Sequence, residues 1–133
     1  MGDRHVKIGR PALTIERLQR AVQHAQGEVR WSEPMAPFTS LQVGGPADVL
    51  VIPTDVEDVI RVIQGARAEG IPCVVLGGTN VVVRDKGIRG IVMHLKHLTG
   101  IHEESHQVIY AQAGVRLPLL MQFALGRNLS GIE

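Results

Sequence analysis

Cysteine is nearly absent from this chain. Its single thiol, Cys73, cannot close an intrachain disulfide, which excludes a disulfide-held secreted scaffold and fits a reducing compartment. An excess of one charge is lacking too: 14 basic residues stand against 13 acidic ones, scattered to a formal net charge of +1. Such a balance makes no field that would gather nucleic acid or anionic lipid, so neither is expected as a partner. Long apolar runs are also missing. Met1 to Lys7 carries no signal-like stretch, and nothing approaches the ~20 apolar residues of a membrane span, so no membrane partner and a cytoplasmic location are expected. Gly2 is not followed by the Ser or Thr that N-myristoylation requires.

Catalytic signatures are scarce in the same way. There is no Ser-His-Asp order, no HExxH and no pair of carboxylates that spacing singles out, so no residue is nominated as nucleophile or general acid. His94, His97, His102 and His106 lie close together, and imidazole is a common metal ligand. Positions 94 and 97 of a strand point to opposite faces, however, so the group reads as surface histidines with no metal site.

What is present is a 133-residue chain with 44% hydrophobic content, enough for one domain with one core. Thr14 precedes Ile15, Leu18, Val22 and Ala25 at helical spacing, predicting an amphipathic helix over 15–26. The prolines of Glu33-Pro34-Met35-Ala36-Pro37-Phe38 forbid helix and favour extended chain, which puts a boundary near 41. Two parts are expected: an amino-terminal helix and Pro-rich lead-in (1–41), and the domain that follows it (42–133).

Val49 to Pro53 is an apolar run of the kind buried in a parallel sheet. Thr54-Asp55-Val56-Glu57 then reads as a capping box. The helix it opens would present Val56, Val59, Ile60 and Ile63 on one face and pair Glu57 with Arg61 on the other. It ends near Gly70, and Pro72 to Leu76 reads as a second buried strand that includes Cys73, completing a βαβ unit. Short strands are expected at 81–83, 90–95 and 108–113. Pro118 suits the first turn of a helix over 118–125 that has almost no polar face and needs covering on several sides. The pattern predicts a βαβ unit followed by a strand-rich second half, an α+β arrangement.

The loop Gly77-Gly78-Thr79-Asn80 follows the second apolar strand, at the carboxyl end where open α/β sheets place their ligands. Its glycines let backbone amides approach a phosphate, and Thr79 and Asn80 add donors. By spacing alone it is neither the dinucleotide fingerprint nor a Walker loop, and a plain Gly-rich turn stays open. Gly44-Gly45-Pro46 is a second such turn, read as chain reversal. Arg84, Asp85, Lys86 and Arg89 could pair with phosphate or simply be solvated.

Taken together, Pro37-Phe38-Thr39-Ser40-Leu41-Gln42-Val43-Gly44-Gly45-Pro46-Ala47-Asp48, Val75 to Asn80, Asp85 to Gly90, Ala111 to Val115 and Leu129 to Glu133 resemble, in order and spacing, the start of the UDP-N-acetylenolpyruvoylglucosamine reductase family, over roughly residues 34–133. The resemblance implies a FAD-binding domain of the vanillyl-alcohol oxidase and p-cresol methylhydroxylase type, two subdomains clasping FAD, the second incomplete here. It implies Gly77, Gly78, Thr79 and Asn80 as the pyrophosphate cradle, and Gly114, Gly131 and Glu133 as parts of the second subdomain bordering the flavin.

The family loop usually reads Leu-Gly-Gly-Gly-Ser-Asn, whereas Leu76-Gly77-Gly78-Thr79-Asn80 is one residue shorter. One amide fewer to a charged group costs about 1.5–3 kcal/mol, or roughly one to two decades of affinity. The family also continues, beyond the point matching Glu133, with a substrate-binding arginine and a carboxy-terminal domain that supplies a serine proton donor and a glutamate. The resemblance therefore implies the FAD-binding portion of an NADPH-dependent reductase of peptidoglycan precursor synthesis, with the UDP-sugar substrate engaged only together with the remaining part. The alternative expectation is a stand-alone flavin-binding or interaction module without turnover. Self-association through exposed strand edges is expected of an incomplete second sheet.

Overall fold

In the computed structural model the described residues are 12–77 and 79–132. Helix α1 (Ile15–Val22) leads into strand β1 (Glu28–Pro34), a 3₁₀ turn (Ala36–Phe38), β2 (Pro46–Ile52), α2 (Val56–Glu69), β3 (Cys73–Leu76), β4 (Ile88–His94), β5 (Ile101–Ser105), β6 (Val108–Ala111) and α3 (Leu117–Leu125). A four-stranded sheet has the order β1-β2-β4-β3, and β5 and β6 form a separate two-stranded sheet. β1 is antiparallel to β2, while β2, β4 and β3 are mutually parallel.

Alternation along the central strands divides the core between two faces. Val49, Val51, Ile91 and Met93 meet Leu18, Ala21, Val22, Val62 and Ala66 of the two helices. Leu50, Ile52 and Val92 face the other way, onto Met35, Leu76 and Val83. A register shift between Ala47 and Val49 turns Ala47 onto that second face. Irregular chain covers this side: the 3₁₀ turn brings Phe38, and the β3–β4 connection lays down Val81 and Val83. Residues 81–83, expected as a strand, therefore run without strand pairing, because packing onto the sheet face takes the place of lying in it.

Other elements depart from expectation for identifiable reasons. β1 lies in a stretch read as non-regular chain, and Pro34 is tolerated because β1 is an edge strand that ends there. α1 stops at Val22, not at 26, because the Asp58 carboxylate captures the amides of Gln26 and Gly27 at 2.8 Å each and draws the chain off the helix. α2 is capped one residue later than the expected box: the Asp55 side chain accepts from the Asp58 amide at 2.8 Å. Arg61 lies 3.6 Å from Asp58, not beside Glu57. The buried face of α2 is Val62 and Ala66, with Val56 and Ile60 half exposed. β3, expected to be buried, is the sheet edge because β4 inserts between it and β2, so Val74 and Val75 stand half exposed.

α3 lies on the surface with Ala124 as its buried residue, leaving Leu117 60% and Leu125 75% exposed. The 15–26 and 118–125 helices are thus present with shifted ends.

Candidate dinucleotide site

The three parallel strands end together at Ile52, His94 and Leu76, and the sequence-predicted cradle leaves from the last of these. Leu76 is buried and pairs in register with His94, which fixes where Gly77 starts. A Cβ placed on Gly77 would meet nothing within 4 Å, so no packing demand explains the glycine there. Thr79 and Asn80 are exposed. The Thr79 carbonyl is held from outside the loop: the Ser40 amide and hydroxyl both donate to it, at 2.9 and 3.0 Å. Ser40 is a site-shaping residue that composition could not nominate, since its partner is distant in sequence. Gly78 and Glu133 lie outside the described residues.

Gly114 stands near the same sheet end for a different reason. Its amide donates to the Leu98 carbonyl at 2.8 Å, and a Cβ there would clash with the Leu95 and Leu98 carbonyl oxygens. The glycine is thus required by close backbone contact with the segment that leaves β4. Gly131, with φ +116°, lines a cavity of about 240 Å³ between the β5–β6 hairpin and α3, shared with Ile109, Leu120 and Leu129. The fold therefore gathers Gly77, Thr79, Asn80 and Gly114 around the β3–β4 end and sets Gly131 on the hairpin side.

The second Gly-rich turn is structural. The Gly45 amide donates to the Arg84 carbonyl at 2.9 Å, and a side chain at Gly45 or Gly87 would strike backbone oxygen of Asp85 or Pro46. Arg89 is engaged nearby, its guanidinium 2.9 Å from Asp48, whose other oxygen accepts from the Gly90 amide at 2.8 Å. This cluster closes the amino end of β4, away from the cradle.

The electrostatics of the carboxyl end centre on His94, which was expected at the surface with the other histidines and is drawn inward because it ends the central strand β4. His94 is partly buried, packs edge-on against Phe38 with ring centroids 5.4 Å apart, and its Nδ1 is buried without a hydrogen-bond partner. Burial first, then the positive charge of Lys96, His97 and Arg30, holds its pKa below the ordinary histidine range. Arg30 is itself paired with Glu28 and Glu33. His102 instead stacks on Tyr110 in the hairpin, and among the described residues no three His, Cys, Asp or Glu side chains converge as a metal site requires. Cys73 is partly buried in the edge strand, where burial raises its thiol pKa.

Gly77 with open space beside it at the carboxyl end of parallel strands, together with exposed Thr79 and Asn80 and an orphan imidazole nitrogen, fits a phosphate-bearing ligand. Comparison with known proteins names that ligand, since residues 47–131 match the family model described as FAD binding domain. The chain belongs to the FAD binding domain family. FAD is accordingly its cofactor.

Within that family the chain is similar to UDP-N-acetylenolpyruvoylglucosamine reductases. It is 46% identical over 102 residues to that of Geobacillus kaustophilus, covering 76% of this chain and 33% of the relative. It is 38% identical over 122 residues to that of Geotalea uraniireducens, covering 91% and 41%. The chain thus spans well under half the length of these relatives. Among solved structures it is similar to 4-ethylphenol oxidase from Gulosibacter chungangensis (TM-score 0.64, 17% identity, 89% of this chain and 26% of that one). It is likewise similar to p-cresol methylhydroxylase (TM-score 0.60, 18% identity, again 89% and 26%). The fold is therefore the α+β FAD-binding type of p-cresol methylhydroxylase. Among the described residues no helix is long and apolar enough to cross a membrane.

Proposed function

We propose that this chain is the flavin-holding part of an NADPH-dependent reductase that converts UDP-N-acetylglucosamine enolpyruvate to UDP-N-acetylmuramate in the cytoplasm. The observation that carries the reading is the FAD-binding family match laid over a sheet whose carboxyl end is open at Gly77. FAD, when bound, supplies hydride-transfer chemistry. The chain's own residues hold it: Gly77, Gly78, Thr79 and Asn80 at the pyrophosphate, with Gly114, Gly131 and Glu133 bordering the flavin from the second subdomain. Residues 42–133 form the binding unit, and the lead-in of 1–41 buttresses it through α1 and β1. The UDP-sugar and NADPH are engaged only when the chain acts with the remaining two thirds of a relative-like protein. Studied alone, the chain self-associates through the unpaired β3 edge and the exposed face of α3.

Fluorescence titration of FAD into the purified chain tests the reading. Saturable quenching with one equivalent bound, weaker than in a longer-loop relative by about one to two decades, is the expected result. A chain that quenches no flavin fluorescence at millimolar protein overturns it.

A further inference from the structure

The partnerless nitrogen of His94 has no structural explanation. A buried polar atom without a hydrogen bond costs about 1–3 kcal/mol, and folds retain such atoms where something else completes them. Nδ1 of His94 is such an atom. Its surroundings indicate what completes it. His94 is the last residue of β4 and the register partner of Leu76, so it sits directly beside the start of the Gly77 loop. The Phe38 ring, at an interplanar angle of 80°, constrains the imidazole plane. Lys96, His97 and Arg30 add positive charge on its side of the sheet, Arg30 while paired with Glu28 at 2.7 Å. An imidazole held in a positive field with a free nitrogen is suited to an anionic oxygen.

Resting on the FAD reading above, we propose that Nδ1–H of His94 donates a hydrogen bond to a diphosphate oxygen of the bound dinucleotide. The histidine then adds, from a strand end, a side-chain hydrogen bond to those of the glycine loop. The burial of the ring keeps it neutral near pH 7, and donation to the phosphate selects the Nδ1–H tautomer. No covalent step is involved; the residue is a ligand contact.

The test is imidazole ¹⁵N NMR of the purified chain, with the His94 resonances assigned by their absence from H94N. Addition of FAD or ADP is expected to shift Nδ1 of His94, and riboflavin, which lacks phosphate, to leave it unmoved. In parallel, H94L is expected to raise the Kd for FAD about ten- to hundredfold, and H94N, whose amide nitrogen falls near the position of Nδ1, to recover most of that loss. A His94 resonance that does not respond to FAD in a chain that demonstrably binds it, or an H94L chain with unchanged Kd, overturns the proposal while leaving the FAD reading standing. A response to riboflavin equal to that to FAD also overturns it, since the contact would then be to the flavin. Should H94L fail to fold, the wild-type shifts and the H94N affinity decide. Failure of the wild-type chain to bind FAD at all strikes the underlying reading instead.

Discussion

Asp58 is fully buried, yet it is saturated by donors: the amides of Gln26 and Gly27 at 2.8 Å each and of Thr54 at 3.0 Å. Burial pushes its pKa up, but those backbone hydrogen bonds, with Arg61 adding attraction, outweigh it and leave the carboxyl below its ordinary value. A pKa depressed on folding contributes stability above the unfolded pKa of about 3.9 and loses it as pH falls through the folded value. Asp58→Asn is therefore expected to cost about 3 kcal/mol at pH 7, because an amide turns donors toward donors. It should also flatten the acid limb of a stability profile below pH 4, measured by urea unfolding across the pH range. A variant with wild-type acid dependence would show that Asp58 is not the group being titrated.

Between the two helices that cover the sheet, α1 and α2 meet at Gly65. A Cβ on Gly65 would clash with the carbonyl oxygen of Ala21, so the two helices cross there backbone to backbone. The edges of this contact are held by Arg20 bound to Glu69 through two hydrogen bonds, 2.9 and 3.2 Å, and by Arg17 donating to the Glu69 carbonyl. Alanine is the better helix former by about 1 kcal/mol. Gly65→Ala is nonetheless expected to destabilise by about 1–3 kcal/mol, since overpacking forces α1 outward. Ala68→Gly, at an exposed position of the same helix, should cost about 0.5–1 kcal/mol by propensity alone. Thermal unfolding of the pair discriminates packing from propensity, and a stabilised Gly65→Ala would refute the close crossing. The capping of α2 shows why such features were only partly legible. Thr54-x-x-Glu57 and Asp55-x-x-Asp58 are both acceptable start signals, and the choice went to the one whose second carboxylate could also tie down Gln26 and Gly27 from a distant part of the chain.

For the molecule as a whole, the unusual feature is where apolar surface ends up. Leu117, Leu119, Met121 and Leu125 of α3 and Val74 and Val75 of β3 are all exposed. Patches of this kind drive association when nothing covers them. The double variant Leu119→Glu with Leu125→Glu is expected to reduce dye binding to apolar surface and to shift sedimentation toward monomer, while leaving FAD affinity within about threefold. Unchanged sedimentation, or a monomeric wild type at all concentrations, would place no association at α3.

Much of this architecture was readable from the chain by itself. The apolar runs at 49–52 and 73–76, the capped helix between them and the glycine loop after the second run determined a βαβ unit, because period and turn chemistry are local properties. The motifs at 37–48, 75–80, 85–90, 111–115 and 129–133, read together, determined the family. Strand order was decided only by the tertiary structure. Inserting β4 between β2 and β3 exposed β3, laid residues 81–83 on the sheet face instead of in the sheet, and recruited β1 as the opposite edge. It also brought His94 beside Leu76 and Ser40 onto Thr79. Those juxtapositions join residues far apart in sequence, and the non-local burial that selects among them leaves no periodic trace in the segments that take part.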